Sequence, residues 1–290
     1  WMFLERPWVG APKRRSGRED MEEVIDPKRL MRELTVAELC ATAEKYYAEL
    51  SDPTHVLAKP FGNLLEAPAL LPRIPLLLSG LRLGAAMVVL DFGAGSCWLS
   101  RLLNQLRCAT ISLDPSTTAL EMGKRLFEIS PIVGNYILPP RFLPFDGERI
   151  QLEDKAVDRI VCFDTFHHIP NQRQILSEFF RVLKPGGIVG FSEPGPTHSQ
   201  GPAAQEEMRM HKVLENDIRL DEIMAIASEI GFSDLRIKLL LDPSLDLDLK
   251  EYMSILHSPP PFWPPPQKTR LRDDLWLAFR NRFRAKESDR

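Results

Sequence analysis

The chain has 290 residues, of which 44% are hydrophobic and 27% charged. These values lie near those of globular proteins and argue against a disordered, fibrous or membrane-spanning chain. The 37 basic and 40 acidic residues leave a formal charge of −3, which argues against a general nucleic-acid binder.

The four cysteines, at positions 40, 97, 108 and 162, form no CxxC pair and no zinc-like spacing with histidine. We therefore expect reduced thiols, no metal site and a cytoplasmic protein. The most apolar stretch, residues 67–92, is interrupted by prolines and charges, so it lacks the uncharged span that a bilayer requires.

The N-terminal part is predicted to be helical after an irregular tail at residues 1–20. Within residues 21–84, Thr35 stands at the N-cap position of an amphipathic run that ends at position 50. A second helical pattern follows the prolines at positions 53 and 60. We expect this N-terminal helical region to lie on the substrate side.

Residues 85–245 change to short β-rich runs that alternate with amphipathic helices. The runs lie at 86–91, 109–114, 141–146, 157–164 and 187–193, and each ends in an acidic residue. This alternation is typical of an α/β, Rossmann-like, doubly wound and mostly parallel sheet. A helix that we expect to stop at Gly231 is followed by an alternating run at 235–241, which predicts a further strand.

Residues 246–290 form an extension to this domain. They contain a proline-rich segment at 258–266, where proline removes backbone donors and favours extended structure. A helical pattern follows, so we predict a proline-rich, helical C-terminal extension.

A glycine loop follows the first strand. The strand delivers Asp91, and Gly93 and Gly95 then allow a tight turn in which the backbone approaches a ligand closely. A second acid, Asp114, ends the next strand at the spacing expected of an acid that binds ribose hydroxyls. The sequence therefore predicts a nucleotide-cofactor site, the alternative being a plain strand-to-helix turn.

The loop departs from a dinucleotide fingerprint. That fingerprint has a third glycine three residues after the second, where this chain has Trp98. An acid two residues before the first glycine also suits a cofactor with an ammonium group better than a pyrophosphate. Both features disfavour NAD and FAD.

Several motifs together resemble those of class I S-adenosylmethionine-dependent methyltransferases of the small-molecule, methyltransferase-11-like type. The likeness covers about residues 85–195 and follows the family's order. It rests on DFGAG at 91–95, SLDPS at 112–116, FDG at 145–147, FDTFHHI at 163–169 and RVLKPGG at 181–187. The chain departs from the family at Cys97, where many members have a glycine.

The resemblance implies S-adenosylmethionine as the cofactor and a role for each matching residue. The methionine portion would lie at the glycine loop, the ribose at the second acid, and the adenine near the third strand. The implied cofactor-binding residues are Asp91, Gly93, Ala94, Gly95, Asp114, Asp146, Gly147, Phe163 and Asp164. Sheets of the family usually close with two antiparallel strands, but no run after residue 241 predicts the last one. We therefore expect an incomplete sheet edge.

Methyl transfer from a sulfonium chiefly requires alignment of donor and acceptor in a dry site. A hydroxyl acceptor also needs a base, and residues after the fourth and fifth strands are placed to supply one. His167 in its neutral form is the first candidate and His198 the second, with His168 and Glu193 also in reach. A structural role is the alternative for each histidine.

The acceptor pocket is expected to include aromatic residues outside the sheet, namely Tyr46, Tyr47, Phe262 and Trp263. The predicted function is transfer of a methyl group from S-adenosylmethionine to a small-molecule acceptor, with a hydroxyl favoured. A cofactor-binding but catalytically silent module stays open as an alternative, as does, more remotely, a dinucleotide-dependent oxidoreductase. We expect no nucleic-acid partner and no membrane insertion, and the sequence does not specify the oligomeric state.

Overall fold

The computed structural model describes residues 24–129 and 139–238, with positions 240, 250, 251, 253, 254 and 258. The predicted tail at 1–20 and most of the extension at 246–290, including Phe262 and Trp263, lie outside the described residues. The chain divides into two units, residues 1–240 and 241–290. The strands and helices given below belong to the first unit.

Five strands form one parallel sheet. They are β1 (Val88–Phe92), β2 (Ala109–Asp114), β3 (Arg141–Pro144), β4 (Val157–Phe163) and β5 (Leu183–Ser192). The strand order is β3-β2-β1-β4-β5, and every neighbouring pair is parallel. The predicted Rossmann-like sheet is confirmed, although β5 begins at Leu183, ahead of the predicted position 187.

Helices precede the sheet and connect its strands. They are α1 (Pro27–Glu33), α2 (Val36–Glu49), α3 (Thr54–Leu57), α4 (Ala67–Leu70), α5 (Arg73–Leu81), α6 (Trp98–Gln105), α7 (Thr117–Ile129), α8 (Gln172–Val182), α9 (Pro202–His211) and α10 (Leu220–Ile230). Short 3₁₀ helices cover Phe166–His168 and His198–Gln200. No described helix combines the length and the hydropathy of a bilayer-spanning segment.

The central strands contribute side chains to two separate cores. Successive residues of a strand point to opposite faces of a sheet, so Val89 packs with α5 and α6 whereas Leu90 packs with α8. The first core contains Leu77, Leu81, Val89, Leu99, Leu103 and Val161. The second contains Leu90, Phe92, Ile160, Cys162, Ile175, Phe179 and Ile218. The sheet is therefore covered on both faces, as predicted for a doubly wound fold.

A capping box starts α2 where the sequence predicted a helix. The hydroxyl of Thr35 accepts a hydrogen bond from the backbone N–H of Glu38 at 3.2 Å, and the Glu38 carboxylate accepts one from the N–H of Thr35 at 2.7 Å. Both donors would otherwise lack partners at the helix N-terminus. At the other end of the domain, α10 stops at Gly231 with φ 116°, which confirms the predicted helix stop.

Glu44 fixes α2 over the carboxyl edge of the sheet. Its carboxylate accepts hydrogen bonds from the hydroxyl of Ser116 at 2.8 Å and from the backbone N–H of Thr118 at 3.1 Å, and also from the Thr118 hydroxyl. These donors lie at the start of α7, where an acid satisfies free N–H groups and the helix dipole. A helix far away in sequence is thereby held beside the ends of β1 and β2.

The predicted strand at 235–241 is wrong in its described part. Residues 235–238 and position 240 have no regular secondary structure, and Leu235 and Ile237 are 54% and 59% exposed. An alternating pattern forms a strand only where a neighbour offers hydrogen bonds and a buried face. Positions 239 and 241, and the residues that would carry a last strand, lie outside the described part, so the incomplete sheet edge stays a prediction.

Replacing Thr35 by alanine should lower the free energy of unfolding by about 0.5 to 2 kcal/mol, because the substitution removes one half of the capping box. Urea denaturation followed by far-ultraviolet circular dichroism measures the change. Thr35→Ser is the matched control and should stay near wild type, since serine caps as well as threonine does. An unchanged midpoint in the alanine variant would contradict a stabilising cap.

Candidate functional site

A cavity of about 730 Å³ lies at the carboxyl edge of the sheet. The described elements that enclose it are the loops after β1 to β5, the N-terminal helices, helix α9 and the irregular segment that follows α9. The cavity lining includes the predicted residues Gly93, Ala94, Gly95, Asp114, Gly147, Phe163, Asp164, His167, His168, Glu193 and His198, and also Tyr46 and Tyr47. Parallel strands bring their carboxyl ends together, so residues far apart in sequence meet at this edge.

The glycine loop needs glycine for two physical reasons. Gly93 and Gly95 have φ of 68° and 50°, a left-handed conformation that other residues rarely adopt. A Cβ atom on Gly93 would overlap the hydroxyl oxygen of Thr165, and one on Gly95 would overlap the hydroxyl oxygen of Tyr47. The backbone of the loop is therefore approached closely from β4 on one side and from α2 on the other.

Asp114 lies at the cavity with its carboxylate only partly used. Its oxygens accept hydrogen bonds from the backbone N–H of Gly95 at 2.7 Å and of Ser116 at 2.8 Å. Burial raises the pKa of Asp114 to about 6, although the two backbone hydrogen bonds oppose the shift. A carboxylate has about four acceptor positions, so it can still accept hydroxyl donors from the cavity.

Asp91 and Asp146, which are also predicted cofactor residues, accept hydrogen bonds from side chains or backbone of the protein itself. Asp91 accepts a hydrogen bond from the Ser100 hydroxyl at 2.6 Å, and burial raises the pKa of this acid to about 7. Asp146 is exposed and accepts hydrogen bonds from the N–H groups of Glu148 and Arg149 at 2.9 and 2.8 Å. Neither acid lines the cavity, and their contacts with the cofactor stay predictions.

Arg73 joins the ends of β4 and β5, a contact that the sequence did not predict. Its guanidinium donates to the Asp164 carboxylate at 2.8 Å and to the Ser192 hydroxyl at 3.0 Å, and lies 4.3 Å from the ring centroid of Phe163. Arg73 therefore fixes the orientations of Phe163 and Asp164, which are both predicted cofactor residues. An arginine inside the apolar stretch 67–92 was the only signal in the sequence.

His167 is held between two buried carboxylates. Its Nδ1 lies 2.7 Å from Oε2 of Glu193, and its Nε2 lies 3.3 Å from Oε2 of Glu215. Burial alone would lower the pKa of His167, but the hydrogen bonds to these carboxylates outweigh it and raise the pKa to about 9. Both ring nitrogens of His167 are thus engaged by carboxylates, which disfavours a neutral His167 base, and its catalytic role stays a prediction.

Two further histidines lie beside Glu215 or its neighbour Leu214. Nε2 of His198 lies 2.6 Å from Oε2 of Glu215, and Nδ1 of His168 lies 2.6 Å from the backbone oxygen of Leu214. His198 keeps 28% of its side chain exposed, whereas Glu215 keeps 8%. The sequence missed Glu215 because it belongs to no motif and stands in an irregular segment.

The predicted aromatic residues of the N-terminal region do reach the cavity. The rings of Tyr46 and Tyr47 pack edge to face with centroids 5.2 Å apart. Burial and the neighbouring carboxylate of Asp114 raise the pKa of Tyr47 well above its usual value, so this hydroxyl stays protonated. Tyr47 therefore presents a neutral donor directly over the glycine loop.

Comparison with known families identifies the domain that carries this cavity. Residues 90–191 match the family model described as a methyltransferase domain, and this span contains the glycine loop, Asp114 and His167. They form a class I S-adenosylmethionine-dependent methyltransferase domain. The cofactor of this family is S-adenosylmethionine.

The methyltransferase domain has relatives at low identity. A malonyl-[acyl-carrier protein] O-methyltransferase of Marinomonas sp. (strain MWYL1) is 26% identical over 51% of this chain and 55% of its own length. A ubiquinone biosynthesis O-methyltransferase of Colwellia psychrerythraea is 25% identical over 37% of this chain and 41% of its own length. The chain thus spans about half the length of these curated relatives.

A solved structure shows the likeness of fold. It is a methyltransferase in complex with the Trm112 methyltransferase activator of Haloferax volcanii. The two folds superpose with a TM-score of 0.52 over 74% of this chain and 89% of that one, at 16% identity. This likeness supports the fold of the methyltransferase domain alone.

Gly93→Ala should destabilise the methyltransferase domain more than Gly186→Ala does. Both glycines have positive φ, 68° and 77°, so both variants incur a left-handed cost of about 1 to 2 kcal/mol. Only the Gly93 variant places a methyl group on Thr165, which adds about 1 to 3 kcal/mol of overpacking, because nothing lies within 4 Å of the corresponding position on Gly186. Equal losses in urea denaturation would contradict the close contact between Gly93 and Thr165.

Proposed function

We propose that this chain transfers the methyl group of S-adenosylmethionine to the hydroxyl of a small-molecule acceptor. The proposal rests on one cavity that holds both the glycine loop with Asp114 and a polar cluster of imidazoles and carboxylates. The polar cluster consists of His167, His168, His198, Glu193 and Glu215. Its volume of about 730 Å³ lies in the range of small-ligand pockets. The two O-methyltransferase relatives also favour an oxygen acceptor.

The residues at the glycine loop fit the cofactor. The loop offers bare backbone where side chains would fill the space, and Asp114 offers free acceptor positions for ribose hydroxyls. We assign the methionine portion of the cofactor to Gly93, Ala94 and Gly95, and its adenine to Gly147 and Phe163. Asp91 and Asp146 would act indirectly, through Ser100 and through the turn after β3.

The polar cluster fits the acceptor. When bound, the cofactor supplies an electrophilic methyl group, and its positive charge disappears on transfer, so the protein has little covalent chemistry to perform. The acceptor oxygen forms the new bond to carbon while the sulfur keeps the electron pair of the bond that breaks. The hydroxyl proton must pass to a base, and His167 is already protonated between its two carboxylates.

His198 is the base that we propose in place of His167. Its Nε2 faces the Glu215 carboxylate at 2.6 Å, so a proton on Nε2 is donated to that acid. The other ring nitrogen, Nδ1, then carries the lone pair that accepts the proton. His198 also lies at the cavity and is partly exposed, which lets an acceptor reach it.

The free cysteines support the proposal of a cytoplasmic setting. Cys40, Cys97, Cys108 and Cys162 are all free thiols, and three of them are buried. Unpaired thiols favour a reducing compartment, which supports a cytoplasmic protein.

Turnover is tested with methyl-labelled cofactor and a metabolite pool, and a labelled acceptor together with S-adenosylhomocysteine is expected. A chain that binds the cofactor but labels nothing would instead be a silent binding module.

Asp114→Asn should weaken S-adenosylmethionine binding by about 1 to 3 kcal/mol, since a buried neutral amide cannot accept all the donors that the carboxylate accepts. Isothermal calorimetry with the cofactor measures the change. Asp154→Asn, on an exposed side chain, is the matched control and should bind as wild type does. Unchanged affinity in the Asp114 variant would remove this residue from the cofactor site.

His198→Gln should reduce turnover by roughly 10²- to 10⁴-fold, the range for loss of a general base, while cofactor affinity stays within about twofold of wild type. His55→Gln replaces a partly exposed histidine outside the cluster and should leave turnover unchanged. Initial rates of S-adenosylhomocysteine formation measure both variants. Wild-type rates in the His198 variant would rule out His198 as the base.

A further inference from the structure

Three side chains at the cavity direct their donor atoms to one place. Nε2 of His198 and Nε2 of His167 lie 2.6 and 3.3 Å from the same oxygen, Oε2 of Glu215. The three donor atoms lie within 4.8 Å of one another. We propose that His167, His198 and Glu215 form a binding site for a divalent transition-metal ion such as Zn²⁺, Fe²⁺ or Co²⁺.

The donor types and their spacing suit such an ion. Imidazole nitrogen and carboxylate oxygen bind these metals at about 2.0 to 2.2 Å, which separates neighbouring donors by roughly 3 to 4 Å. The distance between Glu215 and His167 already lies in this range, and that between Glu215 and His198 is shorter. His198 sits on a short 3₁₀ helix and is partly exposed, so a small shift of its ring admits the ion.

A second carboxylate orients the first imidazole as in metal sites. Oε2 of Glu193 lies 2.7 Å from Nδ1 of His167, which leaves Nε2 of that ring directed at Glu215. Metal-bound histidines almost always donate their other N–H to a carboxylate, a carbonyl or water. Glu193 itself is fixed by the backbone N–H groups of Thr165 and Phe166 at 3.1 and 2.9 Å, so His167 is preorganised.

The charge around the cluster favours a cation. The side chains of Glu193 and Glu215 are only 4% and 8% exposed, and buried carboxylates require compensating charge. The cavity wall also carries Lys59 and Arg73, but these pair with Glu66 and Asp164. The imidazoles of His167 and His198 lie next to these carboxylates, and a divalent ion among them would supply the compensating charge.

The proposed site keeps room for a further ligand. His167, His198 and Glu215 all line the cavity, so coordination positions beyond these three ligands face the space assigned to the acceptor. Three protein ligands with an open position are typical of reactive metal sites rather than structural ones. The fourth ligand would be water or an oxygen or nitrogen atom of an entering molecule.

An ion in this site and the proposed base role of His198 exclude each other. A neutral imidazole bound to metal through Nε2 carries its proton on Nδ1, so Nδ1 no longer accepts one. The metal site is defined by its ligands alone and does not require methyl transfer. It revises the expectation of no metal site, which rested on the spacing of the cysteines.

Cobalt titration of the full chain without an affinity tag tests the site. Calorimetry gives the affinity and stoichiometry, and visible absorption reports nitrogen and oxygen ligation of Co²⁺. One ion per chain is expected, with Zn²⁺ displacing it. His198→Gln and Glu215→Gln should each weaken binding at least about 100-fold, beyond the 10- to 100-fold typical of lost orienting partners.

The controls separate this site from other donors. His55→Gln removes an imidazole outside the cluster, and Cys40→Ser removes the thiol that also lines the cavity, so both should bind as wild type does. Circular dichroism checks that each variant is folded. The His198 variant is less disruptive to folding than the Glu215 variant, because His198 is partly exposed and Glu215 is buried. A wild-type chain that binds neither Co²⁺ nor Zn²⁺ would overturn the proposal, as would a folded His198 variant with wild-type affinity. Neither result bears on methyl transfer, which S-adenosylhomocysteine formation measures separately.

Discussion

The hydrogen bonds of Glu193 hold the two halves of the cavity together. This acid follows β5 and accepts the N–H groups of Thr165 and Phe166 while it orients His167. Thr165 in turn donates its hydroxyl to the backbone oxygen of Gly93 at 3.2 Å. One buried carboxylate therefore links the glycine loop after β1, the turn after β4 and the polar cluster. Its removal would leave several buried donors unpaired, each at a cost of about 1 to 3 kcal/mol.

Acids around this carboxyl edge are compensated in different ways, and the difference sets what each can do. Asp114 is balanced by backbone N–H groups, which keep it available to hydroxyl donors. Glu193 and Glu215 pair with imidazoles, an arrangement that, as we propose, binds a metal ion. Asp146 is exposed and caps a turn, which leaves it a local structural role. The residue type alone does not distinguish these cases, since all four are carboxylates that end a strand, follow one or lie in a loop.

Local patterns predicted most of the domain. The parallel sheet followed from β-rich runs ending in acids, α2 from the N-cap residue Thr35 and the amphipathic run after it, and the end of α10 from Gly231. The glycine loop and Asp114 were also visible, because a strand, a tight turn and a helix are consecutive in the chain. The strand prediction at 235–241 was wrong in its described part because a strand also needs a partner that is distant in sequence. The alternating pattern is compatible with a strand, but Leu235 and Ile237 pair with no sheet edge and remain exposed.

The sequence by itself determined the fold class and the glycine loop, because both depend on interactions between residues that are close in the chain. Only the tertiary structure decided the chemistry of the polar cluster. The protonation of His167 depends on Glu193 and Glu215, and the positions of Phe163 and Asp164 depend on Arg73. Sheet topology brings these partners together at one edge. A pKa or a metal-ligand set is a property of that arrangement, since burial and distance to neighbouring charges fix it.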